Sequence, residues 1–370
     1  MAKNTNMTKA RVNKNDEFYT QIEDIETEVR HYKDQFVGKT VLCNCDDPFE
    51  SNFVKYFILN FRTLGLKKLI ATCYDGSPIS ATEFTPLFGD DFSTALRSTA
   101  VKTAKTLVSK AYKIEITNVV DYNQDGAIDL EDAKILLTQP GVVTLLEGNG
   151  DFRSEECLAL LNEADICVTN PPFSLLKEFI TTMLQHKKKF LVLANMNTFK
   201  SKELFPAFKR GEFWAGYKFN FTAIFNTPYT NVLEQNRKFV LKNGYDPEEG
   251  YTKVPGLAWF TNLDVASRHE ELVLYKNYST DEYLPFDTYP AAINVDKVAE
   301  IPCDYFGQIG VPETFVGKHD PDQFVLVGIL NGGRIPNIDF AVPYVAGQKK
   351  FTRLIIKRKY REDGTLNEEV

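Results

Sequence analysis

The chain has 370 residues, 43% of them apolar, and a formal net charge of −7. That length allows one large domain or two ordinary ones, and the apolar share supports a full core, so disorder is not the default reading. No run approaches the ~18 to 20 apolar residues of a membrane span. The polar opening "MAKNTNMTKARVNKNDEFYT" lacks the apolar block of a secretory signal, so no membrane association and a cytoplasmic location are expected.

Four short apolar runs bounded by polar residues recur along the chain: "KTVLCNCDD", "KKLIATCYD", "ADICVTNPPF" and "KKFLVLANMN". Each has strand length and none alternates cleanly, which predicts strands of a parallel sheet covered on both faces. Between the last two, "SLLKEFITTMLQH" sets Leu175, Leu176, Phe179, Ile180, Met183 and Leu184 on one side of a helix, with Ser174 placed to cap its start. Strand, sharp loop, helix and strand make the repeating unit of an open α/β sheet, whose ligands bind at the carboxyl ends of the strands.

After the second run, roughly Gly76 to Pro140 reads as an insertion. Within it, "DYNQDGAIDLED" places Asp121, Asn123, Asp125, Gly126, Ile128, Asp129 and Asp132 at the spacing of a calcium loop. An acidic turn capping the following helix "LEDAKILLTQ" is the other reading. It is favoured by the single copy, the short Asp in the last ligand position, and the strand-like "AYKIEITNVV" where an entering helix belongs.

From about Tyr217 aromatics, Asn, Pro and Gly increase and periodicity fades, which predicts short strands and loops and a domain boundary near residue 215. Near the end, "AVPYVAGQKKFTRLIIKRKYR" holds seven basic residues and no acidic one. Lys349, Lys350, Arg353, Lys357, Arg358 and Lys359 can pair with phosphates there, and Arg334 can reach base edges. A solvated basic tail accounts for the same charges, and the alternation in "FTRLIIKRK" equally suits an edge strand protected by charge. The cysteines Cys43, Cys45, Cys73, Cys157, Cys167 and Cys303 show no C-x-x-C spacing and read as reduced core thiols.

"DICVTNPPFS" is the stretch with chemistry in it. Proline is rejected by strand and helix interiors, so Pro171 and Pro172 stop the strand before them. An amine conjugated to an aromatic ring, such as N6 of adenine, is a poor nucleophile because its lone pair is drawn into the ring. The side-chain oxygen of Asn170 and the carbonyl of Pro171 can accept its two N–H groups and favour a tetrahedral nitrogen able to attack an electrophilic methyl. Phe173 offers a face on which the base stacks. A strand-ending turn with an aromatic plug is the plainer alternative.

The same stretch resembles the catalytic motif of S-adenosylmethionine-dependent amino-methyltransferases acting on adenine. "NKNDEFYTQIEDIETEV", "VLCNCDDPFESNFVKYF", "LGLKKLIATCYD", "WFTNLDV" and "AINVDKVAEIPCDYFGQIGVPETF" are similar to the EcoRI-type DNA adenine-N6 methyltransferases, from about Asn15 to Arg358. The resemblance implies a Rossmann-like methyltransferase sheet with helices on both faces over residues 1–215, carrying the insertion, and a mixed α+β target-recognition region over 216–370. It implies transfer of a methyl group from S-adenosyl-L-methionine to a flipped adenine in a specific duplex sequence, as in restriction-modification. Double-stranded DNA is then the partner, a restriction endonuclease a functional one, and the protein a monomer.

Carried over by position, Asn170, Pro171, Pro172 and Phe173 form the catalytic corner. Asp16, Phe18, Tyr19 and Thr20 resemble the segment lining the cofactor pocket, Asp47, Pro48 and Phe49 the loop under the methionine part, and Tyr74 or Asp75 the residue meeting the ribose. Asp151 and Phe152 resemble the pair at the cofactor's adenine edge. Unlike most methyltransferases, "CNCDDPFESNF" has no glycine after the first strand, which leaves the choice between Asp46 and Asp47 open. Methylation of an RNA base or a protein glutamine is the neighbouring alternative; a calcium-binding interaction module is one of another class.

Overall fold

A computed structural model describes residues 20–48, 51–74, 111–226, 234–332, 341–361 and 363–367. The chain forms two compact units, one reaching to Met196 and including Phe221–Leu263, the other combining Asn197–Asn220 with the chain from Asp264 onward. It therefore passes between them at three points, where composition marks one change near residue 215.

The helices of the first unit include α1 (Ile22–Val29), α2 (Asn52–Leu59), α3 (Leu130–Leu137), α4 (Glu155–Glu163) and α5 (Leu176–Gln185). Its strands are β1 (Thr40–Cys43), β2 (Lys68–Thr72), β3 (Tyr112–Ile116), β4 (Val143–Leu145), β5 (Ile166–Thr169), β6 (Lys189–Asn195), β7 (Trp214–Asn226, which starts in the second unit and enters the first at Phe221) and β8 (Tyr251–Thr261). They form one sheet in the order β4-β3-β2-β1-β5-β6-β8-β7. The four strands anticipated from sequence, β2, β1, β5 and β6, run parallel at its centre. Antiparallel β3 and β4 extend it beyond β2, and β8 is antiparallel to β6. The architecture is α/β with a large mixed sheet.

Every residue of β1 and β5 is buried, as a strand covered on both faces requires. Helix α2 starts because the Ser51 hydroxyl accepts from Phe53 N at 3.0 Å, and it buries Phe53 against Trp259, ring centroids 5.9 Å apart. Helix α5 buries the expected Leu176, Phe179, Ile180 and Met183. Its start differs from expectation: Leu175, not Ser174, occupies the N-cap position.

The later chain also departs from a reading of short strands only. β7 spans 13 residues and β8 spans 11. β7 lies at the sheet edge, half exposed, so its aromatic, Lys and Asn side chains do not show the apolar block that reveals a central strand.

The second unit holds a short helix α6 (Phe205–Lys209) and the strands β9 (Pro285–Phe286), β10 (Tyr289–Asn294), β11 (Gln308–Pro312), β12 (Phe324–Leu330) and β15 (Arg353–Arg358) in the order β12-β15-β11-β10-β9. A separate hairpin pairs β13 (Tyr344–Val345) with β14 (Gln348–Lys349). Phe286, Ala292, Leu330, Val345 and Ile355 form a core cluster. β15 lies between β11 and β12, which corrects the edge-strand reading of "FTRLIIKRK". Among the described residues no helix is long and apolar enough to cross a membrane.

Candidate active site

Strand β1 has β2 on one side and β5 on the other, so the order of the parallel strands reverses there. In open α/β sheets that reversal opens a crevice beyond the carboxyl ends. Residues 44–48 leave β1 at this point and residues 170–173 leave β5 beside them, with Val41 paired to Ile166 and Leu42 to Cys167.

One carboxylate ties the two exits together. Asp46 accepts from Ser51 Oγ at 2.8 Å, from Thr169 Oγ1, and from the backbone N–H of Asn170. Burial pushes its pKa up to about 7, against the downward pull of those three hydrogen bonds. Asn170 itself is half-buried, while Pro171 and Phe173 are buried. Leu175 N donates to Pro172 O at 2.9 Å, turning the chain into α5.

Asp47 faces another way. It accepts from the Tyr112 hydroxyl at 2.8 Å, and its carbonyl receives Ser51 N at 2.8 Å. The two acids thus divide, Asp46 binding the β5 loop and Asp47 reaching Tyr112 of β3, two strands from β1 in the sheet. Tyr112 comes from the segment that sequence marked as an insertion, and neither it nor Thr169 and Ser51 carries a sequence signal. Pro48 is buried after Asp47; Phe49 lies outside the described residues.

Buried polar atoms mark the same end of the sheet. Among the described residues Thr20 Oγ1, Asn44 Nδ2 and Thr72 Oγ1 have no hydrogen-bond partner. Thr20 is held there by Asn52 Nδ2, which donates to its carbonyl at 2.8 Å. Asp16, Phe18, Tyr19 and Asp75 lie outside the described residues. Tyr74 follows β2 and is half-exposed.

The Asp151 loop is fixed at the carboxyl end of β2 by Gly150, whose φ of +76° and close approach to the Cys73 carbonyl exclude a side chain. Arg153 grips Asp151, its Nε donating to Oδ1 at 2.8 Å and its Nη2 to Oδ2 at 2.5 Å, and holds the carboxyl below its usual range. Phe152 is buried edge-on against Phe179, centroids 5.1 Å apart. The six cysteines are free, and burial pushes the thiols of Cys43, Cys45 and Cys167 well up, so they stay protonated as core groups.

The acidic loop is satisfied by its own backbone. Asp121 accepts from Gln124, Asp125 and Gly126, and Asp125 from Ala127. Asp129 and Asp132 form a reciprocal capping box at the start of α3. Asp132 also receives the N–H groups of Tyr122 and Asn123, and Asn123 Nδ2 donates to Asp125. The last two acids of the loop thus cap α3.

The basic segment is largely turned inward. Arg353 and Lys357 are buried in β15. Arg353 donates to Asn294 at 3.0 Å and to Asp296 at 2.7 Å, and Lys350 pairs with Asp296 at 3.0 Å. Arg358 donates to the Cys303 carbonyl and lies 4.7 Å over the Phe306 ring, and Lys359 pairs with Asp322 at 3.3 Å. Two of the six basic side chains, Arg353 and Lys357, are thus interior groups of a strand that β11 and β12 flank on both edges. Lys349 is exposed on β14, and Arg334 lies outside the described residues. Arg353→Ala removes a buried side chain and its bond to Asn294, while half-exposed Asp296 keeps Lys350, and should destabilise the protein by about 1 to 3 kcal/mol, as measured by urea unfolding.

Comparison with known proteins gives the same reading over the whole chain. The family described as adenine-specific methyltransferase EcoRI matches residues 6–368. The chain belongs to this family. It is 37% identical to the Type II methyltransferase M.EcoRI of Escherichia coli over 361 residues, 97% of this chain and 98% of that one. It is 33% identical to M.MpnI of Mycoplasma pneumoniae, covering 95% and 97%, and 33% identical to M.MgeORF184P of Mycoplasma genitalium, covering 95% and 98%. No solved structure matches. Within an adenine-specific methyltransferase family, the corner at residues 170–173 sits where the strand order reverses, beside the loop that follows β1.

Proposed function

We propose that this member of the family is a site-specific DNA methyltransferase that transfers a methyl group from S-adenosyl-L-methionine to N6 of an adenine flipped out of duplex DNA, within a restriction-modification system. One observation carries the reading: the Asn-Pro-Pro-Phe corner lies at the strand-order reversal, bound through Asp46 to the loop that follows β1. The eight-stranded sheet serves as the Rossmann-like catalytic fold, and the second unit serves target recognition.

The polar atoms at this end of the sheet suit the donor. Thr20 Oγ1, Thr72 Oγ1 and Asn44 Nδ2 are donors and acceptors of the kind that a ligand with hydroxyl, amino and carboxylate groups uses. With Tyr74, Asp75, Asp16, Phe18, Tyr19, Asp47, Pro48, Phe49, Asp151 and Phe152 they would hold S-adenosyl-L-methionine, which supplies an electrophilic methyl group on a sulfonium. Asn170 and the Pro171 carbonyl accept the two N–H groups of the target amine, and Phe173 supports the extruded base. No general base is needed before transfer, because the nitrogen loses its proton afterwards. The prolines keep the acceptors from having to reorganise as positive charge develops on that nitrogen.

Lys349 and Arg334 are the residues proposed to face DNA. The protein acts as a monomer in the cytoplasm, with a restriction endonuclease as functional counterpart. Incubation with methyl-labelled S-adenosyl-L-methionine and DNA, RNA or protein should label DNA alone, and digestion should return N6-methyladenine. Label in RNA or in glutamine would replace this reading with one of its neighbours.

A further inference from the structure

We propose that Asp46 is a positioning residue for methyl transfer, holding the acceptor loop of Asn170 in register with the loop that follows β1 while touching neither substrate. The inference rests on the methyltransferase reading. Three donors from two separate parts of the chain converge on this one buried side chain: the Ser51 hydroxyl at the start of α2, and, from the β5 exit, the Thr169 hydroxyl and the Asn170 N–H that begins the acceptor loop. No neutral side chain of this size accepts all three, since an asparagine presents one oxygen and a donating NH₂.

A role in stability alone fits poorly. A buried carboxyl with a raised pKa binds its proton more tightly folded than unfolded. Its effect on folding is therefore least adverse at low pH and turns adverse as pH rises from about 4 through about 7, where the folded form ionises. Near neutral pH the fold thus keeps a group that opposes it. What the ionised form provides is a charge-assisted grip on the Asn170 N–H, so the acceptors of the corner are fixed before the target amine arrives.

The groups facing this carboxyl are few. Asp47 lies on its own loop, and Cys43, Cys45 and Cys167 come from β1, its exit and β5, all three thiols held protonated by burial. Asp47 is a charged neighbour that raises Asp46 further, and it accepts from the Tyr112 hydroxyl.

The test is steady-state methylation of duplex DNA by the full chain from pH 5.5 to pH 9, together with thermal melting over the same range. In the wild type, kcat/KM, which reports groups of the free enzyme, should show an acid limb with its midpoint near 7. Asp46→Asn should lower kcat about 30-fold or more, leave KM for DNA and for S-adenosyl-L-methionine within about 3-fold, and abolish that limb. Its melting temperature should gain on the wild type as pH rises. Thr169→Val removes one bond that holds the pKa down, so it should move the midpoint upward while keeping the fold.

An Asp46→Asn protein with wild-type kcat and an unchanged acid limb overturns the inference. A raised KM for the donor with kcat intact does so too, since that marks direct contact. Should Asp46→Asn not fold, an unmoved midpoint in Thr169→Val has the same force. A wild type that methylates no DNA removes the functional reading and this inference with it, whereas a wild type active beside an unaffected variant removes this inference alone.

Discussion

Asn170→Ala should lower kcat for DNA methylation about 10²- to 10³-fold, the range seen when a preorganised polar group is removed from a developing charge. DNA affinity should stay within about 3-fold, because phosphate contacts dominate it. The protein should remain folded: alanine keeps the backbone N–H that Asp46 accepts, and residue 170 is only half-buried. Asn170→Asp should retain more activity than Asn170→Ala, since one oxygen acceptor survives. Single-turnover assays beside urea unfolding separate the two effects. A folded Asn170→Ala enzyme with wild-type turnover would remove the chemistry assigned to the corner. Unfolding of the variant would instead make residue 170 a structural part of the β5 exit.

The centre of the sheet was legible because β1, β2, β5 and β6 are apolar runs with no alternation, and such runs have few other places to go. The corner was legible because two prolines at the end of a buried strand leave little doubt about where it stops. What sequence did not disclose depends on partners distant in the chain. Tyr112 reaches Asp47 from 65 residues away and Thr169 reaches Asp46 from 123, and neither spacing leaves a local pattern. Charge misled most in β15, where Arg353 and Lys357 looked like surface residues. Their burial is decided by strands on both sides and by Asp296, 57 residues before Arg353.

The loop that carries Asp151 shows how backbone, not side chain, can set a site. Gly150 has φ +76°, and a Cβ there would lie 2.1 Å from the Cys73 carbonyl oxygen and 2.9 Å from Ala111 Cβ. Both neighbours are anchored, Cys73 N donating to Tyr112 O at 3.1 Å and Leu146 N to Ala111 O at 3.0 Å, so neither can step aside cheaply. Gly150→Ala must therefore push the loop away from the end of β2, at about 3 kcal/mol or more from backbone strain and overpacking together. That displacement moves Asp151 away from the end of β2, while Asp46 keeps its bonds to Ser51, Thr169 and Asn170. The expected result is a melting temperature lowered by about 5 °C or more and a KM for S-adenosyl-L-methionine raised about 10-fold, with kcat at saturating donor less affected. Gly148→Ala is the control, because its added methyl would meet only Glu156 Oε2 at 3.8 Å. Equal behaviour of the two variants in melting and donor titration would mean that close packing at the end of β2 does not set the loop, and that Asp151 has no part in holding the donor.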